Sequence, residues 1–253
     1  MMDAQATARP ANPLIELTVT LLIPSLILMK LSDPAKLGPV NALLAALAFP
    51  LSWGAREYLR ARKLNLFAAL GFVSVLLTGG IGLLKLDPQW LAVKEAAIPA
   101  VLGLAVLLST FTRAPLVRVL LFSPAIMQVE RIQAALDARG TRAAFEAKLI
   151  HATWILAGSF LFSAVMNYLL ATWVVVSEPG SPAFNEELGR LALLSYPVIA
   201  LPSMLILMGA LFYLARALRH LAGLGLGEIE NIIRVLGQAD IDLQIVTVTG
   251  KND

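Results

Sequence analysis

The sequence predicts an all-α, polytopic transmembrane helix bundle of six spans, both termini in the cytoplasm, with short amphipathic helices on that side. Three observations lead there. Of the 253 residues, 58% are hydrophobic and 15% charged, against about 25% charged in soluble domains. Mean hydropathy is +0.77, more apolar surface than a core of this chain length can hide from water. The apolar residues also fall into six runs near the roughly 20 residues that a helix needs to cross a bilayer, without the alternation of a barrel strand.

The first run, Leu14 to Leu31, carries Glu16 near its start and Lys30 near its end, each with the sign that a helix dipole favours there. With Arg9 its lone preceding basic residue and no small-residue cleavage pattern after it, this run is expected to stay in the protein as a helix. The second, Leu37 to Trp53, has Pro39 and Pro50 near its ends; these two runs are the least apolar and could instead form a re-entrant pair. The third, Leu64 to Leu84, carries no Asp, Glu, Lys or Arg; the fourth, about Leu91 to Phe111, contains Lys94 and Glu95. Leu149 to Val176 and Leu191 to Leu214 complete the set. Residues 1–13 then form a cytoplasmic N-terminus, 14–214 the membrane domain and 215–253 a cytoplasmic tail.

Lys and Arg set the orientation, because basic residues beside spans stay on the cytoplasmic side. Of the 20 Lys and Arg, all but Lys30, Lys36, Lys85, Lys94 and Arg190 lie in the N-terminus, the second and fourth connections or the tail. An odd number of spans breaks that asymmetry. Within it, Arg60, Arg62 and Lys63 after the second span and Arg216 and Arg219 after the sixth are candidates for anionic lipid headgroups.

The connection from Thr112 to Lys148 is too polar to cross and too long for a turn. Ser123 and Pro124 can start a helix in it, Val129, Ile132 and Leu136 give that helix an apolar side, and Gly140 can end it. This reads either as an interfacial or partner-facing helix or as a connector packed on the bundle. In the tail, Gly223, Gly225 and Gly227 form a hinge that lacks the Lys-Ser/Thr of a phosphate loop. The segments Ile23-Pro-Ser-Leu-Ile-Leu-Met29 and Leu201-Pro-Ser-Met-Leu-Ile-Leu-Met208 are alike, through pseudo-symmetry or through chance.

Ionisable residues inside spans are the default functional candidates, since a charge at mid-bilayer costs at least about 2.5 kcal/mol. Lys94 can snorkel to the headgroups, or pair with Glu95 or Asp87 and face the interior. Ser159, Ser163 and Asn167 recur every fourth residue, on one helix face suited to helix packing or, less directly, to a solute path. Gly79, Gly80 and Gly82 permit close helix approach or a broken helix end. No catalytic residue is assigned: Cys is absent, and His151 and His220 have no metal-ligand neighbour at helical spacing, so no metal or cofactor is expected. The net charge of +3 is too small to point to nucleic acid.

The run Leu77-Thr-Gly-Gly-Ile-Gly-Leu83, then Asp87, Trp90 and Lys94, then Ile98 to Ser109 and Ala114-Pro-Leu-Val-Arg118, resembles the intracellular septation protein A family of bacterial inner membranes. Lys30, the basic Arg60 to Lys63 stretch and Asn167-Tyr168 also look like family positions; the longer fourth connection and tail depart from the pattern. The resemblance implies an inner-membrane, non-enzymatic protein of septation or envelope maintenance, meeting lipid and division or envelope proteins, with a second copy of itself as a further possible partner. The alternative is a small-solute or lipid transporter or channel, motivated by Lys94-Glu95, the Ser159/Ser163/Asn167 face and Pro24, Pro99, Pro197 and Pro202.

Overall fold

The computed structural model describes residues 17–61, 66–112 and 129–223. Among them the ordered elements are all helices: α1 (Thr18–Leu31), α2 (Gly38–Ala61), α3 (Leu66–Leu83), α4 (Gln89–Ser109), α5 (Val129–Ala138), α6 (Arg142–Val174), α7 (Pro182–Ser195) and α8 (Leu201–Ala222). Each predicted span corresponds to a helix. Four stretches are long and apolar enough to cross a membrane: Gly38–Arg56, Gln89–Ser109, Arg142–Val174 and the continuous Pro182–Ala222; the apolar parts of α1 and α3, Thr18–Leu31 and Leu70–Leu83, are shorter. At 24 residues α2 exceeds the length a re-entrant half-helix needs.

Local chemistry sets the helix ends. Ser181 caps α7 by accepting from the Phe184 N–H, with Pro182 at the first helical position. The α7 start therefore precedes the predicted Leu191, in sequence too polar to read as a span. Likewise α6 begins at Arg142, before the predicted Leu149, because Phe145, Leu149 and Ala152 are buried on one side while Lys148 and His151 face out. Gly140 (φ +63) ends α5 as expected, and Gly223 (φ +69) ends α8. Pro24 and Pro202 each follow a five-residue π turn, Thr18–Leu22 and Tyr196–Ala200. A proline brings no N–H and crowds the carbonyl four residues back, which widening the turn relieves. The two Pro-Ser segments thus share a local geometry.

Helices joined by the α1–α2, α3–α4 and α6–α7 turns run in opposite directions. At one end of the bundle Asn185 of α7 bonds Ser32 Oγ and the Pro39 carbonyl, and Gly180 lies on the Gly82 carbonyl and Lys85, gathering the α1–α2, α3–α4 and α6–α7 turns. A core around Leu43, Ile81, Leu91, Leu170, Phe184 and Leu188 fills this end. At the other end Thr141 Oγ1 donates to the Leu221 carbonyl at 2.9 Å and Arg139 packs on Gly223. There Ile132 and Leu136 of α5 are sealed against Phe145, Leu149, Leu214 and Leu218. The apolar side of α5 is thus taken by its own chain, which favours the packed connector over the partner-facing helix.

Lipid offers no hydrophobic drive for helices to associate, so close shape and polar bonds must hold them. The α4–α6 crossing is close: a Cβ on Gly103 would sit 3.1 Å from the Phe160 Cβ. Many large apolar side chains point outward, among them Phe72, Val101, Met204, Leu205 and Phe212, as a lipid-facing surface requires.

Candidate functional site

The most unusual side chain is Lys94. Its Nζ meets Glu95 Oε1 at 2.7 Å, Thr78 Oγ1 at 2.8 Å and Ser74 Oγ at 3.1 Å, with the Ser74 carbonyl at 3.4 Å. The lysine side chain is 9% exposed and that of Glu95 31%. An ammonium has three protons to donate, and here each finds an acceptor. The position is set by two antiparallel helices: Lys94 lies roughly 8 Å into α4, while Ser74 lies roughly 14 Å from the adjoining end of α3. The ammonium therefore points deeper rather than toward headgroups, and the snorkelling alternative does not describe it.

Ser74 and Thr78 are one turn apart on α3, and Thr78 Oγ1 also donates to the Ser74 carbonyl at 3.1 Å. Between Leu70 and Thr78 no α3 residue is buried, whereas Gly79, Ile81 and Gly82 are. This half of α3 has no fully buried residue, and the bonds to Lys94 are a polar tie to α4. Just beyond the pair, toward the α3–α4 turn, Ile81, Leu91 and Ala92 belong to the apolar core.

Other predicted positions do separate jobs. Asp87 Oδ1 accepts from the Gln89 N–H at 2.8 Å, holding the turn into α4 instead of meeting Lys94. Ser159 donates to the Ser203 carbonyl at 3.3 Å, a contact between α6 and α8. Asn167 donates to the Ser163 carbonyl at 2.8 Å and Ser163 Oγ at 3.3 Å, closing on its own helix. The Gly103 crossing places Asn167 level with Ala96 and Ala97, the depth of Lys94 and Glu95, but on another element. Gly79 packs on Leu47 and Gly82 on Leu43 and Phe184, whereas Gly80 meets nothing within 4 Å. Lys30 is exposed in the last turn of α1. Arg216 and Arg219 are exposed near the end of α8, where Lys148 stacks over Tyr213 at 5.5 Å. Glu16, Arg62, Lys63, Ser123, Pro124, Gly225 and Gly227 lie outside the described residues, as does the Arg60 side chain.

Several polar residues escaped sequence reading. Asn185 is 0% exposed, and Glu187 clamps the α6–α7 loop by accepting from the Val176 and Ser177 N–H groups and from Ser177 Oγ. Ser74 and Thr78 gave one usable signal, two hydroxyls at i and i+4 in an otherwise apolar run. Among the described residues no three His, Asp or Glu side chains gather as a metal site would need. Comparison with protein-family models, curated proteins and solved structures finds no match.

Proposed function

We propose that the chain crosses the bacterial inner membrane six times with both termini cytoplasmic, and that it moves a small solute across the bilayer with Lys94 in the path. The observation that carries this reading is the direction of Lys94: a charge is buried onto α3 hydroxyls, at the edge of an apolar seal, when the nearer headgroups offered a cheaper place. The half of α3 from Leu70 to Thr78, which has no fully buried residue, supplies the element that moves, and the basic residues at the α5 end agree with a cytoplasmic face there. No chemical reaction is required.

The test is uptake of radiolabelled amino acids, carboxylates, sugars and phosphate into liposomes holding the purified protein. At least one compound should enter faster with wild type than with Lys94→Met. Equal uptake by both for every compound overturns the reading. A role in septation or envelope maintenance is the second reading, supported by the sequence resemblance over Leu77 to Arg118. Of its residues, Asp87 and Lys94 shape the α3–α4 hairpin and Gly79 packs α3 on Leu47 of α2. Native-membrane crosslinking that recovers no envelope or division protein would remove it.

A further inference from the structure

Resting on the transport reading, we infer that the Lys94 site takes a small monocarboxylate anion together with one proton, the solute carboxylate replacing that of Glu95. The partners of Lys94 are of two kinds. Thr78 and Ser74 are neutral acceptors on α3, while Glu95 is the counter-charge, next in sequence on α4. Consecutive helical side chains point about 100° apart, so Glu95 reaches around its own helix to meet the ammonium. It is also the more exposed partner, at 31% against 9%. Glu95 is therefore the ligand that can leave, and Lys94 the group that stays.

Charge balance fixes what replaces it. A lone ammonium in so dry a place is costly, so the site must hold one negative charge at every stage. A cation would be repelled, and a neutral solute would leave Lys94 uncompensated once Glu95 had moved. A monocarboxylate supplies the one charge and accepts hydrogen bonds from the ammonium. The displaced Glu95 would then be an unpaired anion unless it took a proton. The exchange is Lys94⁺·Glu95⁻ plus RCOO⁻ plus H⁺ giving Lys94⁺·RCOO⁻ plus neutral Glu95, with zero net charge at the site before and after.

Among the described residues, neighbouring groups do not supply another counter-charge. Between Leu70 and Leu83 α3 has no ionisable side chain, and between Gly38 and Ala55 neither has α2, which packs on α3. On α6 the ionisable residue nearest in height is Tyr168, beside Asn167. In the turn, Asp87 is engaged at the start of α4 and Lys85 lies by Gly180.

The experiment is thermal unfolding of the full-length protein in detergent against sodium acetate, with sodium chloride at equal ionic strength and acetamide as controls. In wild type the acetate concentration giving half the stabilising shift should fall as pH drops, by up to about tenfold per unit, as one proton per anion demands. In Glu95→Gln it should be low and independent of pH, and Lys94→Met/Glu95→Gln should not respond. A wild-type response without pH dependence, no response to acetate beyond that to chloride, or equal responses in the single and double variants overturns the inference. Should Glu95→Gln not fold, the wild-type pH series decides alone. Linked acetate and proton binding without uptake of any solute into liposomes would end the transport reading and leave this site standing. Lys94-dependent uptake that ignores pH and Glu95 would do the reverse.

Discussion

The Asn185 side chain donates an N–H to the carbonyl of Pro39 across 2.7 Å, joining points 146 positions apart. A carbonyl can only accept, so this bond fixes which way the amide faces; its second N–H goes to Ser32 Oγ at 3.1 Å. Asn185→Ala leaves the Pro39 oxygen without this donor and should cost about 1–2 kcal/mol, read as a lower unfolding temperature in detergent. Among the described residues Asn185 Oδ1 has no hydrogen-bond donor, so Asn185→Asp, which adds charge at that oxygen, should be worse than Asn185→Ala. Wild-type melting of both variants would refute the assigned role.

Two glycines should respond in opposite ways. A Cβ on Gly189 would lie 2.8 Å from the Ser25 carbonyl oxygen and 2.7 Å from Met29 Cγ. Backbone cannot step aside as a side-chain tip can, so Gly189→Ala should cost about 1–3 kcal/mol by parting α1 from α7. Gly80 has nothing within 4 Å, so Gly80→Ala should be neutral or gain up to about 1 kcal/mol from helix propensity. Thermal unfolding of the two single variants, side by side, checks the contrast.

Lys94→Met should release α3 without unfolding the bundle. Thr78 can keep its bond to the Ser74 carbonyl, 3.1 Å away, but the tie to α4 is gone. Hydrogen exchange should rise over residues 70–78 and stay unchanged in α6. Unaltered exchange in α3 would show that apolar contact alone holds it.

Ile132→Asp or Leu136→Asp puts a charge into the cluster between α5, α6 and α8. Either should detach α5 at a local cost of about 2–4 kcal/mol. Limited proteolysis should then cut within residues 129–141 while the remaining helices resist. A wild-type digestion pattern would contradict this packing.

A chain without cysteine is ready for labelling by single introduced thiols. Ser177→Cys, in the α6–α7 loop, should react with a membrane-impermeant maleimide from outside spheroplasts; Asp137→Cys, at the α5 end, should react after lysis alone. Labelling of both from the same side would exclude an odd number of crossings between them, and with it the proposed topology.

The helices were readable because an apolar run in lipid has few alternatives to a helix. Their extent was less so: α6 gains Arg142 to Lys148 because Phe145 finds a partner cluster from α5 and α8, a contact that no local pattern encodes. Lys94 was legible as a charge out of place, yet its direction depended on Ser74 and Thr78, which in sequence look like ordinary small packing residues. Asn185 and Glu187 were hidden because they lie in a polar helix start whose turn is completed by residues far away in the chain. The equal spacing of Ser159, Ser163 and Asn167 suggested one shared surface, but a hydroxyl or amide inside lipid satisfies itself on whichever carbonyl is nearest.

Pro182–Ala222 is continuous over 41 residues, roughly 60 Å, about twice the hydrocarbon thickness. Its widened turn at Tyr196–Ala200 sits near the middle, with α7 packed on α1 at one side and α8 on α6 at the other. A bend of about ten degrees there displaces the Ala222 tip by roughly 6 Å, carrying Arg219 and the docked Thr141 with it. A small angular change at that turn is thus magnified into a linear stroke at the helix tip.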